Sequence, residues 1–464
     1  MDIAGGTRTK QREQGKILLG LAGGMLVIAG GMIGAYYVVG TRSVAIAATA
    51  PAEPATQTPS AGGAPIKGAK DVTALLDREV ELKTAKGSTK LSWSALGVEA
   101  DPDEARRTSG DFGALARTGS LPVRLNREHA IKALFELKAK TDQSPIDAYL
   151  DLEARKIFDD RPGRVLDVWG SLPKLAAAAR SGAATVDLDL ITVPAAVTKT
   201  GLGIEDISKV LGHYSTSFSV SDKDRNFNLK LAASKLNGVV LKPGDVMSFN
   251  GTVGERSQRM GYKIAHVITA GEMVDGLAGG TCQISTTLFG AAFFAGLDIP
   301  DTRNHSRPST YTPLGFDATV VWPDTDLKIK NPYEFPVAIR YVVTNGEARV
   351  EILGKERPYD KVVFERKVIE ESPYPTEERL DEEIVLGEQR IDQEGFPGFK
   401  LERFRKFYKN GKQVRNTQKW TVTYKPVTEY IRRGTSTDPN AKKAEQQELH
   451  GPKPPKGDTY QMTQ

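Results

Sequence analysis

A glycine-led apolar segment at residues 279–297 places the strongest constraint on the fold. From Gly279 it reads Gly-Gly-Thr-Cys-Gln-Ile-Ser-Thr-Thr-Leu-Phe, and it contains the only cysteine among the 464 residues. Apolar side chains recur there at helical spacing, which predicts a buried helix from about Cys282 to Ala295. Gly296 suits the left-handed end of such a helix. Cys282 would then lie in the first turn, where unpaired N–H groups and the helix dipole favour a thiolate.

A second apolar segment, residues 17–40, has no charged side chain over 24 positions. A helix of that length spans about 36 Å, enough for a bilayer core. Arg8, Lys10, Arg12 and Lys16 precede it, so the positive-inside rule predicts a cytoplasmic N-terminus at 1–16 and a single-pass signal anchor at 17–40. The rest of the chain would lie outside the cytoplasmic membrane, in the cell wall or periplasm. A cleaved signal peptide is the alternative, but the apolar run exceeds the usual length.

Composition excludes several classes of function. The net charge of +5 is small for this length, and no dense basic stripe is interleaved with aromatic residues, so we expect no nucleic-acid partner. The histidines show no metal-ligand spacing, and we expect neither a metal nor a cofactor. A single exported cysteine indicates a reactive thiol or an intermolecular pair. The alternative is a small buried apolar residue.

The pattern along the chain predicts a multidomain α+β protein. Helices at 127–140, capped by Asn126, and at about 173–181, starting at Pro173, are expected. A short helix at 204–211 and a strand at 314–321 are also expected. The predicted order is a flexible linker at 41–70, mixed α/β modules at 71–197, a bridge at 198–225, an α+β domain with the cysteine helix against a sheet at 226–356, an elongated all-β domain at 360–436 and a disordered tail at 437–464.

The residues after the cysteine helix suggest thiol chemistry. A cysteine nucleophile needs a general base and a group that orients the base. His305 and Asp317 follow Cys282 in an order that fits this logic. Backbone N–H groups at Gly279, Gly280 and the helix start are candidate oxyanion donors. Arg303 and Arg307 are candidates to hold a substrate carboxylate, and further binding candidates are Thr281, Gln283, Ser285 and Asn304.

Residues from about 226 to 353 resemble the VanW domain. The matching pieces include Lys242-Pro243-Gly244, Ser248-Phe249-Asn250, Gly279-Gly280-Thr281-Cys282-Gln283, Asn304-His305-Ser306 and Phe316-Asp317-Ala318. The preceding module is similar to the peptidoglycan-binding domain that often accompanies VanW. The region with Gly395-Phe396-Pro397-Gly398 and Asn410-Gly411-Lys412 looks like a diverged G5 domain, a cell-surface adhesion module.

The resemblance implies a peptidoglycan-modifying enzyme, because some VanW members are assigned as L,D-transpeptidases with the domain's cysteine as nucleophile. Here that residue is Cys282, and the implied product is a 3→3 cross-link between peptide stems. If water is the acceptor, the protein is an L,D-carboxypeptidase. The alternative of a different class is a non-catalytic peptidoglycan-binding scaffold. An exposed thiolate beside His305 favours catalysis, and a buried thiol without polar partners favours the scaffold; protein partners are not indicated.

Overall fold

The computed structural model of the protein describes residues 74–104, 121–269, 272–445 and 457–464. The predicted cytoplasmic N-terminus, signal anchor and linker, residues 1–70, lie outside these ranges. Among the described residues no helix has the length and apolar character needed to cross a membrane.

The N-terminal part of the described chain is a mixed α/β module. Its elements are β1 (Glu79–Thr84), β2 (Gly87–Ser92), β3 (Val98–Ala100), β4 (Val123–Leu125), α1 (Arg127–Thr141), β5 (Tyr149–Asp151), β6 (Lys156–Phe158), β7 (Gly163–Leu166), α2 (Val168–Ser181), β8 (Thr185–Asp187) and β9 (Leu190–Val193). The sheet order is β2-β1-β8, with β1 and β8 parallel. The alternation along β1 buries Val80 and Leu82 against Trp93 and both helices.

The two helices differ in how well their starts were predicted. Asn126 caps α1 as expected, its side chain accepting a hydrogen bond from the His129 N–H at 3.1 Å. The expected start of α2 at Pro173 is wrong, because the helix begins at Val168 and Pro173 lies inside it. Asp167 provides the cap by accepting the Gly170 N–H at 2.8 Å, a stronger start signal than the proline.

The central part holds the cysteine helix and its sheet. Its elements are β10 (Lys209–Ser217), α3 (Lys223–Leu236), β11 (Val240–Leu241), β12 (Val246–Ser248), α4 (Phe249–Val253), β13 (Ile264–Thr269), β14 (Glu272–Leu277), α5 (Thr281–Ala295), β15 (Asp298–Asp301), β16 (Lys328–Lys330), β17 (Val337–Thr344) and β18 (Glu347–Gly354). Short 3₁₀ turns occur at Thr200–Leu202 and Gln258–Met260. The main sheet is antiparallel, in the order β10-β18-β17-β11.

Helix α5 packs directly on this sheet. Every one of its residues except Cys282 is buried, and it ends at Gly296 in the left-handed conformation, so the predicted buried helix and its stop are confirmed. Two glycines permit the close packing. A Cβ at Gly212 on β10 would lie 2.2 Å from the Ala295 nitrogen, and a Cβ at Gly290 would lie 2.4 Å from the ring of Tyr214. Larger residues at either position would push the helix away from the sheet.

Two predictions for this part of the chain are wrong. The segment 198–225 is not a simple bridge, since it supplies β10, an edge strand of the main sheet, and residues 204–211 are not helical. The segment 314–321 does not join a sheet as a strand. It runs extended along α5, where Thr286 accepts the Ala318 N–H at 3.1 Å. Side chains of the helix therefore satisfy backbone groups that a neighbouring strand would otherwise pair.

The C-terminal part is all β, as predicted. Its strands are β19 (Lys361–Ser372), β20 (Thr376–Val385), β21 (Gln389–Gln393), β22 (Gly398–Lys409), β23 (Lys412–Gln413), β24 (Gln418–Tyr424), β25 (Glu429–Ser436) and β26 (Thr459–Thr463). One sheet is formed around β22, which pairs with β19, β23 and β24. A second sheet has the order β20-β25-β21, in which β20 and β25 are parallel.

The central and C-terminal parts share one hydrophobic core. Phe364 of β19 packs edge-on against Phe316 at 4.6 Å between ring centroids, and Phe293 of α5 lies 5.9 Å from Phe364. Arg405 of β22 is fully buried and donates to the carbonyl oxygens of Ala292, Phe293 and Leu297. A cation at the negative end of α5 complements the helix dipole. The all-β part thus helps to hold the cysteine helix in place.

The end of the chain differs from the expected disorder. Within the predicted tail 437–464, residues 459–463 form β26, which pairs antiparallel with β19. Met462 packs against the shared core. The side chain of Gln464 accepts the His213 N–H at 3.0 Å. A polar composition does not prevent order here, because the free edge of β19 supplies backbone partners.

Candidate active site

The start of α5 presents Cys282 at the surface of an otherwise buried helix. The chain enters through Ala278 and Gly280, whose φ values are +62° and +102°. A Cβ at Gly280 would come within about 3.1–3.2 Å of Leu229 and Arg225 side-chain atoms, so this position needs glycine for space as well as conformation. Helical residues begin at Thr281, and Cys282 follows it. The cysteine is free, and the residue is half-buried.

His305 and Asp317 lie beside this thiol. The Nδ1 atom of His305 is 2.6 Å from Asp317 Oδ2, which also accepts the His305 backbone N–H at 2.7 Å. This bond leaves Nε2 to face Cys282, and His305 and Cys282 are hydrogen-bonded. The histidine is 6% exposed and the aspartate 1%. The structure therefore brings the three predicted residues together as a thiol, an imidazole and a carboxylate in series.

The electrostatics of the group favour its ionised form. Burial raises the pKa of Cys282, but the hydrogen bond and positive charge of His305 outweigh it and bring the pKa from 9.0 down to about 7. Burial also lowers the pKa of His305, yet Tyr311, Asp317 and Cys282 hold it well above its ordinary value. The pKa of Asp317 is lowered, because its bonds to His305 exceed the cost of burial. These shifts favour a thiolate, an imidazolium and a carboxylate, and at pH 7, close to the pKa of the thiol, about half of the Cys282 side chains are ionised.

Buried hydroxyl groups of α5 fix the position of Asp317. Ser285 Oγ donates to the carbonyl oxygen of Ala318 at 2.5 Å, and Thr286 Oγ1 bonds both the N–H and the carbonyl oxygen of the same residue. The Cys282 Sγ atom lies 3.3 Å from Thr319 Oγ1. The extended segment and the helix are thereby held in one register, which places the carboxylate opposite the imidazole. Ser285, predicted to bind substrate, instead has this structural position.

Tyr424 is a member of the site that the sequence did not indicate. It lies at the end of β24, and its hydroxyl donates to Asp317 Oδ1 while accepting the Gly315 N–H at 3.0 Å. Asn304 reaches the same strand, since its amide donates to the carbonyl oxygen of Thr423 at 2.9 Å. The all-β part of the chain therefore contacts the carboxylate end of the group. No local pattern signals this, because 107 residues separate Tyr424 from Asp317.

Most of the other predicted binding residues have structural partners. Gln283 is buried, accepts from Arg225 at 2.7 Å and donates to Thr216 and Ser217 of β10. The Thr281 hydroxyl donates to the Ala278 carbonyl oxygen, and the Gly279 carbonyl oxygen accepts from Asn228. These groups shape the helix entry, and their hydrogen bonds leave them poorly placed to bind a ligand.

The two arginines predicted to hold a substrate carboxylate lie in different environments. Arg303 is exposed, and Arg307 is buried with Glu394 as an electrostatic neighbour. The Cys282 thiol has hydrogen-bond contacts with His305, Thr319 and the carbonyl oxygen of Val320. The cations in electrostatic reach of the thiol are instead Arg225 and Arg256.

Among the described residues, the N–H groups of Gly279 and Gly280, which were predicted as oxyanion donors, bond no acceptor, and the Cys282 N–H is a third such donor. The Thr281 N–H donates to the Ala278 carbonyl oxygen and the Gln283 N–H to that of Gly280. Within the described part of the chain, the Cys282 N–H has no hydrogen-bond acceptor. An N–H next to the nucleophile is well placed to bind the oxygen of a tetrahedral intermediate. In the same part of the chain no cluster of three His, Cys, Asp or Glu side chains is arranged to hold a metal ion.

Comparison with known families places this group within a recognised domain. Residues 224–353 match the family described as "VanW like protein", and residues 364–436 match the G5 domain. The chain contains a VanW-like domain and a G5 domain. Cys282, His305 and Asp317 all lie within the first, and Tyr424 lies within the second.

Relatives match only part of the chain. Over 130 residues it is 43% identical to "Uncharacterized protein YoaR" of Bacillus subtilis (strain 168), covering 28% of this chain and 43% of that protein. Over 154 residues it is 32% identical to "Vancomycin B-type resistance protein VanW" of Enterococcus faecalis (strain ATCC 700802 / V583), covering 32% and 56%. The chain thus spans about half the length of these relatives. The solved structure "IgA1 Protease G5 domain structure" is 23% identical over 17% of this chain and 98% of its own, with a TM-score of 0.12.

Proposed function

We propose that this protein is a cell-wall acyltransferase, an L,D-transpeptidase that uses Cys282 as its nucleophile. The observation that carries the proposal is the half-buried Cys282, whose thiol is hydrogen-bonded to a buried His305–Asp317 pair. A cysteine that only fills the core needs no such partners. The VanW-like domain around these residues, and a relative named as a vancomycin resistance protein, support a substrate in the cell wall.

The chemistry follows from the ionised pair. The Cys282 thiolate attacks the carbonyl carbon of the third residue of a donor stem, and the Cys282 N–H binds the oxygen that becomes negative. The tetrahedral intermediate collapses as the C–N bond breaks, and the imidazolium of His305 gives its proton to the departing amine of the terminal D-alanine. A thioester remains on Cys282.

The second half of the reaction, the transfer of the acyl group from Cys282, returns the enzyme to its starting state. The amine of a neighbouring stem attacks the thioester carbonyl, and the now neutral His305 takes the proton that this amine loses. The C–S bond breaks, the thiolate leaves, and a 3→3 cross-link is formed. Asp317 keeps the imidazole oriented in both halves through its bond to Nδ1. Water in place of the amine would make the protein an L,D-carboxypeptidase.

The proposal includes a position outside the cytoplasmic membrane, with residues 17–40 as an uncleaved anchor. Peptidoglycan is the proposed partner of the N-terminal module and of the G5 domain. Their attachment to one chain would keep the active site close to its polymeric substrate and raise the effective concentration of stems.

Product analysis tests the function. Full-length protein in detergent, as wild type and as Cys282→Ala, is incubated with a disaccharide tetrapeptide, and the products are weighed by mass spectrometry. We expect a cross-linked dimer with loss of D-alanine for the wild type and none for the variant. Tripeptide without dimer would replace the transpeptidase with a carboxypeptidase. No turnover by either protein, with both still binding sacculi, would leave the non-catalytic scaffold.

A further inference from the structure

Two partly buried arginines flank the nucleophile from different segments of the chain. Arg225 of α3 donates to the side chain of Gln283, the residue after Cys282, at 2.7 Å. Arg256 follows α4 and donates to Asn250 Oδ1 at 2.9 Å. The Asn250 amide in turn donates to the carbonyl oxygen of Val321, next to Val320, whose own carbonyl oxygen is 3.4 Å from Cys282 Sγ. Each guanidinium is therefore fixed by a defined hydrogen bond, Arg225 to the residue after Cys282 and Arg256 to a side chain that bonds the segment beside the thiol.

Neither arginine forms an ion pair with an acidic residue in the described part of the chain. The carboxylates that act electrostatically on them are Asp222 for Arg225 and Asp326 for Arg256, and both carboxylates are hydrogen-bonded to other groups. Asp222 caps α3, and Asp326 binds Ser248 and the N–H groups of Asn250 and Leu327. Burial lowers the pKa of both guanidinium groups, and a thiolate at Cys282 is among the charges that oppose this effect.

A guanidinium offers five N–H donors, and these arginines use few of them within the protein. Arg225 donates from one nitrogen, to Gln283. Arg256 donates from two nitrogens, to Asn250 and to the Gly254 carbonyl oxygen at 3.4 Å. Partly desolvated cations with unused donors are suited to a planar anion, above all a carboxylate. With the Cys282 thiolate, the His305 imidazolium and the Asp317 carboxylate, the two guanidinium groups leave one positive charge in excess, which an anionic substrate group can neutralise.

We propose that Arg225 and Arg256 bind a carboxylate of the acyl donor beside Cys282, an inference that deepens the proposed function and rests on it. The carboxylate would be the terminal one of the residue that leaves, which lies two bonds from the scissile amide nitrogen. The alternative is a side-chain carboxylate on the third residue of the stem, whose carbonyl is attacked, because this group has the same chemistry. Binding either one would orient the scissile carbonyl over the thiolate.

Alkylation with a charged and a neutral reagent tests the site without turnover. Cys282 is the only cysteine, so its reaction with iodoacetate and with iodoacetamide is followed by the mass of the intact full-length protein. Both reagents consume the same thiolate, and the ratio of their rate constants cancels any change in thiol pKa. We expect Arg256→Gln to lower the iodoacetate-to-iodoacetamide ratio about fivefold or more, the scale of a lost charge-assisted hydrogen bond. Arg225→Gln should act in the same direction.

Charge-keeping and distant variants complete the design. Arg256→Lys should retain most of the ratio, because it keeps a cation in place. Arg433→Gln removes an exposed arginine paired with Glu378 and should leave the ratio unchanged. Arg225→Gln also removes the bond to Gln283, so Arg256→Gln and Arg256→Lys decide the matter if Arg225→Gln does not fold. An unchanged ratio in Arg256→Gln would overturn the carboxylate site.

Turnover of modified donor stems then shows which of the two carboxylates, terminal or side-chain, the arginines bind. Donor stems amidated at the terminal carboxyl, or at the side-chain carboxyl of the third residue, are compared with the free acid by kcat/KM. We expect terminal amidation to reduce kcat/KM for the wild type and to have little further effect in Arg256→Gln. A loss confined to side-chain amidation would assign the side-chain carboxylate, and equal rates for all donors would refute the site. The alkylation ratio stands even if no turnover is found, so the failure of this inference and of the proposed function are distinguishable.

Discussion

His305 should control the acidity of Cys282, and its replacement by glutamine tests this directly. The pKa of Cys282 lies at about 7, compared with an ordinary 9.0, and the hydrogen bond and charge of His305 are the main causes that lower it. Without them burial, the largest influence, raises the pKa of the thiol against only the contacts with Thr319 and Val320, so the Cys282 pKa in His305→Gln should be about 9 or above. At pH 7 the thiolate fraction then falls from about one half to about one hundredth or less.

The rate of Cys282 alkylation at pH 7 falls less than the thiolate fraction does. A thiolate of higher pKa is more nucleophilic, and an increase of two pKa units raises the rate constant of the thiolate itself about six- to tenfold. Alkylation of His305→Gln by iodoacetamide at pH 7 should therefore be about five- to eightfold slower than that of the wild type. The midpoint of the rate against pH is the sharper observable, because it does not depend on intrinsic nucleophilicity.

The assay follows the mass of the intact protein from pH 5 to pH 10 under excess reagent. His213→Gln is the matched control, since His213 lies half-buried on β10 and its backbone, not its ring, bonds the Gln464 side chain. We expect midpoints near 7 for the wild type and this control, and at 9 or higher for His305→Gln. A midpoint for His305→Gln within about half a unit of the wild type would refute the reasoning and assign the low pKa to the helix N-terminus.

Three further predictions follow from the same contacts. Tyr424→Phe leaves Asp317 Oδ1 and the Gly315 N–H without their partner, so the free energy of unfolding in urea should fall by about 2–4 kcal/mol. Tyr341→Phe loses hydrogen bonds to neutral groups only, the Ile284 carbonyl oxygen and the Thr287 hydroxyl, and should cost about 1–2 kcal/mol; a loss as large as that of Tyr424→Phe would contradict an ionised Asp317. The kcat/KM for D-alanine release should rise through pH 7 as the thiolate forms and decline at alkaline pH as the imidazolium of His305 deprotonates, and a profile with no acid limb would exclude the thiolate. Because the pKa of Asp317 is lower in the folded protein, its contribution to stability is present above its unfolded pKa and is lost as pH falls through the folded value. The wild type should thus lose more unfolding free energy than Asp317→Asn between pH 6 and pH 3, and parallel curves would contradict the shift.

Short-range features of this chain were well predicted from the sequence. The cysteine helix, its glycine stop and the Asn126 cap of α1 were all found where the residue pattern indicated them. These features depend on neighbouring residues, since a cap or a turn is satisfied within a few positions. The errors also have local reasons, such as the proline inside α2, whose start is fixed by the Asp167 cap instead.

Long-range features required the folded structure. The segment at 314–321 has the composition of a strand, yet its backbone pairs with hydroxyl groups of α5. Residues 209–217 read as a connector but complete the main sheet. In both cases the partner that satisfies the backbone comes from a distant part of the chain, and no local period reports it.

The sequence by itself determined the domains present, the apolar helix and the presence of one cysteine at its start, with a histidine and an aspartate that fit the same chemistry. Only the tertiary structure decided that the three side chains meet, that Tyr424 of the G5 domain holds the carboxylate, and that Arg225 and Arg256 lie by the thiol. The reason is physical. Helix formation and capping are governed by nearby residues, whereas the neighbours of a buried charge are set by how distant segments pack around it.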